Sequence, residues 1–548
     1  MFRLKHLAVF SLLALPLAAA EPLLPRLTVV ISVDQMRADY LVRFRPYFTA
    51  GGFTRLLEGG ADYQNCHYQH AITVTAPGHA TILSGVNANV HGIVFNDWRD
   101  PKTFIEGNAV EDVAAPLVGI APRGPNPANS GRSPRNFLGV TVGDRLKAKY
   151  GAGAKVFGVA DKDRAAILMA GAKADGAYWG EEGLFVTSAY YRPELPAWVQ
   201  EFNAAHPAQD NYGRVWERLL EPAIYDRVQG PDDATGEYVG NGLTRTFPKR
   251  IDGGEPGMSA AFFWALEIAP WNNDLVAAMA ERLIEVEQLG TDDTPDLLCV
   301  GFSQTDRIGH MYGPDSHEVM DSYLRLDRTL AGFLDFLDRK IGRDRYLVVL
   351  VADHGVGPIP EQTREKRGPD AAGRVLGPEL DTHVKAALNA AFGALSADNY
   401  WTVRDGTGFR VNPAALAEKQ LAAGRVQAAI REALLKFPGV ADAWTREQLT
   451  NPAPLPGFGE RMRLSFNVER GADVMVLLKP FWLGGGEGPP ASHGTPYDYD
   501  THVPQVWFGA GVKPGVHPER VAVEDLAPTL AGLLGVELPP EAKGRRLF

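Results

Sequence analysis

The chain has 548 residues, 45% of them hydrophobic and 22% charged, the profile of a globular protein and not of a fibrous or disordered one. Its formal net charge of −11 leaves no basic footprint, which excludes a nucleic-acid binder that grips phosphate backbones through a cationic surface. Only two cysteines occur, Cys66 and Cys299, so no disulfide framework supports the fold, although one bridge is open in an oxidising compartment.

Residues 1–20 have the form of an export signal. Arg3 and Lys5 make a positive start, Leu7 to Leu17 is apolar, and Ala18-Ala19-Ala20 offers a small-residue cleavage site before Glu21. The apolar run is shorter than the ~20 residues needed to cross a bilayer, and no later stretch is apolar for that long. No cysteine follows the cleavage site to carry a lipid. A periplasmic or secreted protein with no membrane attachment is therefore expected, and a monomer.

Beyond the signal, short apolar runs bounded by turns recur: "LTVVISV" (27–33), "KVFGVA" (155–160), "DLLCVGFS" (296–303), "YLVVLVA" (346–352) and "QVWFGA" (505–510). Near-continuous runs of this length suit strands buried on both faces. Between them lie amphipathic helices, the clearest after Ser316, with Val319, Tyr323, Leu326, Leu330, Phe333 and Leu337 at three- and four-residue steps. The alternation predicts an α/β fold with a central, mostly parallel sheet flanked by helices. Two stretches break the pattern, about 180–270, rich in aromatics, Pro and Gly, and about 361–485, with mixed helical and strand-like pieces. Because candidate ligands lie on either side of each, both read as insertions that cap one discontinuous catalytic domain spanning 21–548.

Three of the apolar runs lead into acidic residues: Asp34, Asp306 and Asp353. In open α/β sheets the ligand site lies beyond the carboxyl ends of the strands, so these carboxylates are expected to gather there. "TDRIGHMYG" places His310 four residues after Asp306, on one face of a helical turn. "ADHG" sets His354 beside Asp353, and "ASHGTPYDYDTHVP" adds His493 in a Gly-flanked loop. Three carboxylates and three imidazoles form a set that zinc accepts, too many for one open tetrahedral ion and suited to two. Each fragment alone also reads as a solvated turn; their joint placement after strands is what gives them weight. In "TVTAPGHATILSG" (73–85) two threonines precede a turn that enters a helix, and either could cap the helix or present a hydroxyl to an anion at its N-terminus.

Together, "VVISVDQMRADY", "TVTAPGH", "HGIVFNDW", "DKDR", "TDRIGH", "ADHG" and "SHGTPYDYDTHVP" resemble the alkaline phosphatase superfamily, and specifically its phosphate-irrepressible, threonine-nucleophile alkaline phosphatases. The resemblance implies one Zn2+ held by Asp306, His310 and His493, and a second held by Asp34, Asp353, His354 and the Thr75 hydroxyl. It makes Thr75 the nucleophile of a phosphothreonine mechanism and leaves Thr73 and Thr81 structural. It also assigns Asn96, Lys162 and Arg164 to the non-transferred phosphate oxygens, so that small phosphate monoesters are the expected substrates.

Charge matching favours this reading. Two Zn2+ ions against Asp34, Asp306, Asp353 and a Thr75 alkoxide leave a formally neutral site, and Lys162 with Arg164 matches the roughly two negative charges of a monoester at pH 7. Diesterases and nucleotide pyrophosphatases of the same superfamily, which lack the Lys/Arg pair, are the leading alternative; a non-catalytic exported zinc-binding protein is a lesser one. Neither cysteine has the CxPxR context of a sulfatase. Lys162 stands where a magnesium subsite would otherwise contribute, which argues against a magnesium requirement.

Overall fold

The computed structural model describes residues 24–120, 131–484 and 488–548; the predicted export signal lies outside them. The strands and helices that build the site are β1 (Leu27–Val33), β2 (Ala61–His67), α1 (Thr75–Ile82), β3 (Val156–Ala160), α2 (Asp163–Ala170), β4 (Gly176–Glu181), β5 (Leu184–Ser188), β6 (Asp296–Phe302), α3 (Gln304–Tyr312), α4 (His317–Lys340), β7 (Tyr346–Val351) and β8 (Gln505–Gly509). Within a twelve-stranded sheet these strands run in the spatial order β2-β8-β7-β1-β6-β3-β4-β5. The five central strands, β7, β1, β6, β3 and β4, are parallel. Every residue of β1, β6 and β7 is buried, as expected of strands covered on both faces.

All five predicted strands form, each within one residue of its expected ends. Two details differ from expectation. The 505–509 strand runs antiparallel to β7, because the chain re-enters the sheet at the same edge where β7 leaves it, Gln505 pairing with Val351. Residues 184–188, inside a stretch with no strong strand signal, extend the sheet as an antiparallel partner of β4. Cys66 and Cys299 are both buried free thiols, so the optional bridge does not form.

The predicted helix after Ser316 runs from His317 to Lys340, and the Ser316 hydroxyl caps it by accepting the Val319 N–H at 3.2 Å. Its apolar face joins the main core with the sheet. The segment 361–485 contains a four-stranded antiparallel sheet (402–405, 408–411, 474–478 and 440–445) with a hydrophobic core of its own. A second cluster, including Trp444, Met462, Phe466 and Leu477, packs this insertion against Ala71, Ile72 and Val74 just before α1.

Parallel register brings the acidic residues together. Val33 pairs with Phe302, and Ser32 with Val351, so the chain leaves β1, β6 and β7 at one level. Asp34 follows β1 directly, Asp353 lies two residues after β7, and Asp306 sits in the first turn of α3 just beyond β6.

Candidate metal centre and active site

α1 begins at Thr75 and lies over the end of β7, an approach that Gly78 permits: a Cβ there would fall 2.3 Å from the Asp353 carbonyl oxygen. The Tyr68 hydroxyl fastens the two segments by donating to the carbonyls of Ala352 (2.9 Å) and Gly78 (3.3 Å). Thr75 is buried, with Oγ1 3.4 Å from His354 Nε2 and 3.5 Å from Lys162 Nζ. Thr73 faces elsewhere, donating to the Thr495 carbonyl at 2.8 Å, while Thr81 donates within its helix to Pro77.

Two ligand groups converge beside Thr75. Asp306, His310 and His493 form one; Asp34, Asp306 and His354 form the other. His493 Nε2 is 3.5 Å and His310 Nε2 3.2 Å from Asp306 Oδ1. Asp34 Oδ1 lies 3.5 Å from His354 Nε2, and Asp353 Oδ2 3.3 Å from the same nitrogen, which joins Asp353 to the second group.

The donor chemistry fits divalent cations. Each imidazole turns its Nδ1 to a backbone carbonyl: His310 to Ala491 (2.8 Å), His493 to Thr73 (2.8 Å) and His354 to Gly355 (2.9 Å). A carbonyl can only accept, so each Nδ1 carries a proton. Burial lowers the pKa of His354 and His493, which present Nε2 lone pairs to the pocket, whereas the Asp306 carboxylate outweighs burial and raises His310, whose Nε2 would give up its proton to a bound cation. The Nε2 atoms of His310 and His493 then face each other at 3.3 Å, an arrangement a bound cation would satisfy. Both Asp34 carboxylate oxygens and Asp353 Oδ2 are buried without an aligned hydrogen-bond donor. Such groups are costly to bury unless paired or coordinated.

Lys162 holds part of this negative charge. It caps α2 just beyond β3, with Nζ 2.8 Å from Asp34 Oδ2, although not aligned as a hydrogen bond, and in contact with Asp306. Burial alone would raise the Asp306 pKa, but His310 and Lys162 outweigh it and hold the carboxyl well below its usual range. Burial and then the neighbouring Asp34 charge push Asp353 the other way. Burial, followed by the charge of His493, keeps His354 neutral, the form that coordinates metal. His493 is likewise lowered, mainly by burial.

Asn96 reaches the start of α1 from a separate loop. Its side-chain carbonyl oxygen accepts the Ala76 N–H at 2.8 Å, so the amide nitrogen is the end that can donate. Arg164, in the first turn of α2, keeps a buried Nε with no partner among the described residues, and its guanidinium lies 3.6 Å from Asp163. Nine of the ten residues singled out in the sequence meet one another or the start of α1, while Arg164 is placed by its position two residues along α2 from Lys162.

Three further residues support the site; Gln35 and Gly309 are not singled out in the sequence, whereas His79 stands inside "TVTAPGH" as a supporting or structural residue. Gln35 adopts a left-handed backbone (φ 66°), donates its N–H to Asp353 Oδ1 at 3.1 Å, and donates its side-chain amide to Asp306 Oδ1 at 2.6 Å. Gly309 makes room for it, since a Cβ there would fall 1.8 Å from Gln35 Oε1. His79 bonds the Thr75 carbonyl through Nδ1 at 2.8 Å and lies 3.3 Å from Asp353 Oδ2. Only the unusual Gly in "TDRIGH" and the Gly-His pair in "TVTAPGH" hinted at these supports.

A mostly parallel sheet that delivers two overlapping carboxylate–imidazole groups and a helix-initiating threonine beyond its carboxyl edge defines an alkaline-phosphatase-like protein. The chain belongs to the alkaline phosphatase superfamily, the type I phosphodiesterase/nucleotide pyrophosphatase model matching residues 28–496. Among individual relatives, alkaline phosphatase PafA of Elizabethkingia meningoseptica is 32% identical over 525 residues, covering 95% of this chain and 93% of the relative. Alkaline phosphatase PhoV of Synechococcus elongatus is 31% identical over 527 residues, covering 95% of this chain and 92% of its own. A crystal structure of wild-type PafA matches with a TM-score of 0.86 and 32% identity, covering 97% of this chain and 99% of that one.

Proposed function

We propose that this chain is an exported, zinc-dependent alkaline phosphatase that hydrolyses phosphate monoesters through a phosphothreonine intermediate on Thr75. The observation that carries the reading is Thr75 Oγ1 itself, buried at the first residue of a helix, 3.4 Å from His354 Nε2 and 3.5 Å from Lys162 Nζ. Asp306, His310 and His493 would hold one Zn2+; Asp34, Asp353, His354 and Thr75 would hold the other. When bound, two such ions supply the charge that lowers the pKa of a coordinated hydroxyl and stabilises the leaving oxygen.

The rest falls to the chain's own groups. Thr75 Oγ1 bonds to phosphorus as the bond to the leaving alcohol breaks. Water then cleaves the phosphothreonine, releasing phosphate and restoring the hydroxyl. Lys162, Arg164 and the Asn96 amide nitrogen orient the non-transferred oxygens, arginine as a two-pronged donor and lysine as a point charge. The helix N-terminus adds a favourable field for the anion.

Although the matching family model is named for phosphodiesterases, Lys162 and Arg164 supply two cations where a diester would need to balance only one negative charge. The full-length alkaline phosphatase relatives support the same preference. The test is turnover of aryl phosphate, aryl phosphodiester and aryl sulfate by zinc-loaded protein, with metal stoichiometry measured on the same sample. Preferred monoester turnover with about two Zn2+ per chain supports the proposal; diester preference, or turnover without metal, refutes it.

A further inference from the structure

The insertion at 361–485 has its own sheet and core, yet one of its side chains reaches back into the catalytic half. Arg461 lies in a short helix, Gly459–Leu464. Its guanidinium donates to backbone carbonyls of two separate segments: to Tyr68 (2.7 Å), Gln69 (3.1 Å) and, more distantly, His70 (3.4 Å), and to Pro496 (2.8 Å). The first segment leads into Thr75. The second follows His493 by three residues.

Three further hydrogen bonds tie the insertion to the same stretch. The Arg461 carbonyl accepts the Ala71 N–H at 3.1 Å, and Ser465 Oγ accepts the N–H groups of Ala71 (2.9 Å) and Ile72 (3.0 Å). The segments also bond each other directly: His493 Nδ1 donates to the Thr73 carbonyl, and Thr73 Oγ1 donates to the Thr495 carbonyl, both at 2.8 Å. Among the described residues no carboxylate lies within ion-pair distance of Arg461, and the charges of Glu524 and Asp498 act on it only from further away. Burial, followed by the charge of Arg520, lowers its pKa. Its donors are thus given to peptide carbonyls alone, in a planar fork that can serve several acceptors at fixed angles.

We propose that Arg461 is a positioning residue, a guanidinium supplied by the insertion that spans the nucleophile segment and the His493 segment and thereby sets the distance between Thr75 and the His493 imidazole. The inference rests on the site assignments proposed above. It explains what the insertion contributes to the reaction centre beyond covering it. A displacement near 1 Å at a reacting group can cost about a hundredfold in rate, and groups that orient metal ligands typically govern affinity by about 10- to 100-fold.

The test compares Arg461→Ala and Arg461→Lys with the wild-type full-length protein. Zinc affinity is measured by competition with a chromogenic chelator, independently of turnover, alongside kcat/KM for an aryl phosphate. Arg461→Ala is expected to lose about 10- to 100-fold in both. Arg461→Lys, which keeps the charge but not the fork, should fall measurably in the same direction.

Arg461 also lines a cavity of about 820 Å³, so a small guanidinium has a path to the vacated position. Ethylguanidinium is expected to restore part of the kcat/KM of Arg461→Ala and none of the loss in Thr75→Ala. Unchanged zinc affinity and kcat/KM in folded Arg461→Ala would overturn the proposal, as would wild-type behaviour of Arg461→Lys if the alanine variant does not fold. If the wild-type protein itself lacks phosphatase activity, the functional reading fails, while the chelator competition still reads the positioning effect.

Discussion

Replacing Lys162 by alanine discriminates best between a monoesterase and a diesterase. Lys162 is only 6% exposed, and its Nζ is 3.5 Å from Thr75 Oγ1, so a phosphoryl group joining Thr75 would bring its oxygens to within about 4 Å of the ammonium. At that distance and an effective dielectric near 20, one pair of unit charges interacts by about 4 kcal/mol. A monoester carries about one more negative charge than a diester. Spread over several oxygens, the extra charge corresponds to a shift of roughly 10²- to 10³-fold in the ratio of monoester to diester kcat/KM. Metal should remain bound, because losing the ammonium beside Asp34 and Asp306 strengthens the attraction of those carboxylates for a cation. Parallel assays on aryl phosphate and aryl diester, at equal zinc content, read the ratio directly. A ratio unchanged within a factor of two would show that Lys162 does not match the substrate's charge.

Other expectations concern the nucleophile and the buried charges. Thr75→Ala should abolish turnover while zinc content and melting temperature stay near wild type; substantial phosphatase activity in that variant removes Thr75 from the nucleophile's role. Asp296 accepts the N–H groups of Lys155 (2.7 Å) and Gly290 (2.8 Å), yet burial raises its pKa to about 6. An acid raised on folding favours the folded state fully below its unfolded pKa near 4, and that contribution fades as pH climbs through 6. Metal-free wild type should therefore gain about 2 kcal/mol relative to Asp296→Asn between pH 7 and pH 4, read by denaturant unfolding. A pH-independent difference would contradict the shift. Lys249 is fully buried, 2.7 Å from Glu318, with Glu237 close by and raised to about 9, by burial first and the Glu318 charge second. Lys249→Met leaves Glu318 without its cation and should destabilise the fold by about 3–5 kcal/mol in urea unfolding; a loss below about 1 kcal/mol would mean that the pair is not held as an ion pair.

Much of the site was legible because parallel strands concentrate function at one edge. Asp34, Asp306 and Asp353 each stand at or just past the end of an apolar run, and residues in that position meet whenever those runs are adjacent parallel strands. His354 came with Asp353 by adjacency, and His310 with Asp306 by helical spacing. Lys162 and Arg164 belong to the same pattern, one at the cap and one in the first turn of the helix after β3. His493 and Asn96 lie on loops with no periodic signal, and only the combination of motifs singled them out.

The supports stayed hidden for the opposite reason. Gln35 serves Asp306 across 271 residues of sequence, and Arg461 serves Tyr68 across 393. Neither contact has a local pattern, since a hydrogen bond to a backbone carbonyl asks nothing of the acceptor's side chain. The strand at 184–188 was equally unreadable, its pairing imposed by β4 and not by its own sequence.

The amino-acid order by itself determined which segments become buried strands, where the helices start, and which acids and imidazoles stand at strand ends, because burial and capping act over a few residues. Only the tertiary structure decided how strands 27–33, 296–302 and 346–351 lie side by side in register, that 505–509 returns antiparallel, and that a guanidinium from an insertion holds the nucleophile segment beside His493. Those choices depend on contacts between residues hundreds of positions apart, whose energies exist only once the chain has closed on itself.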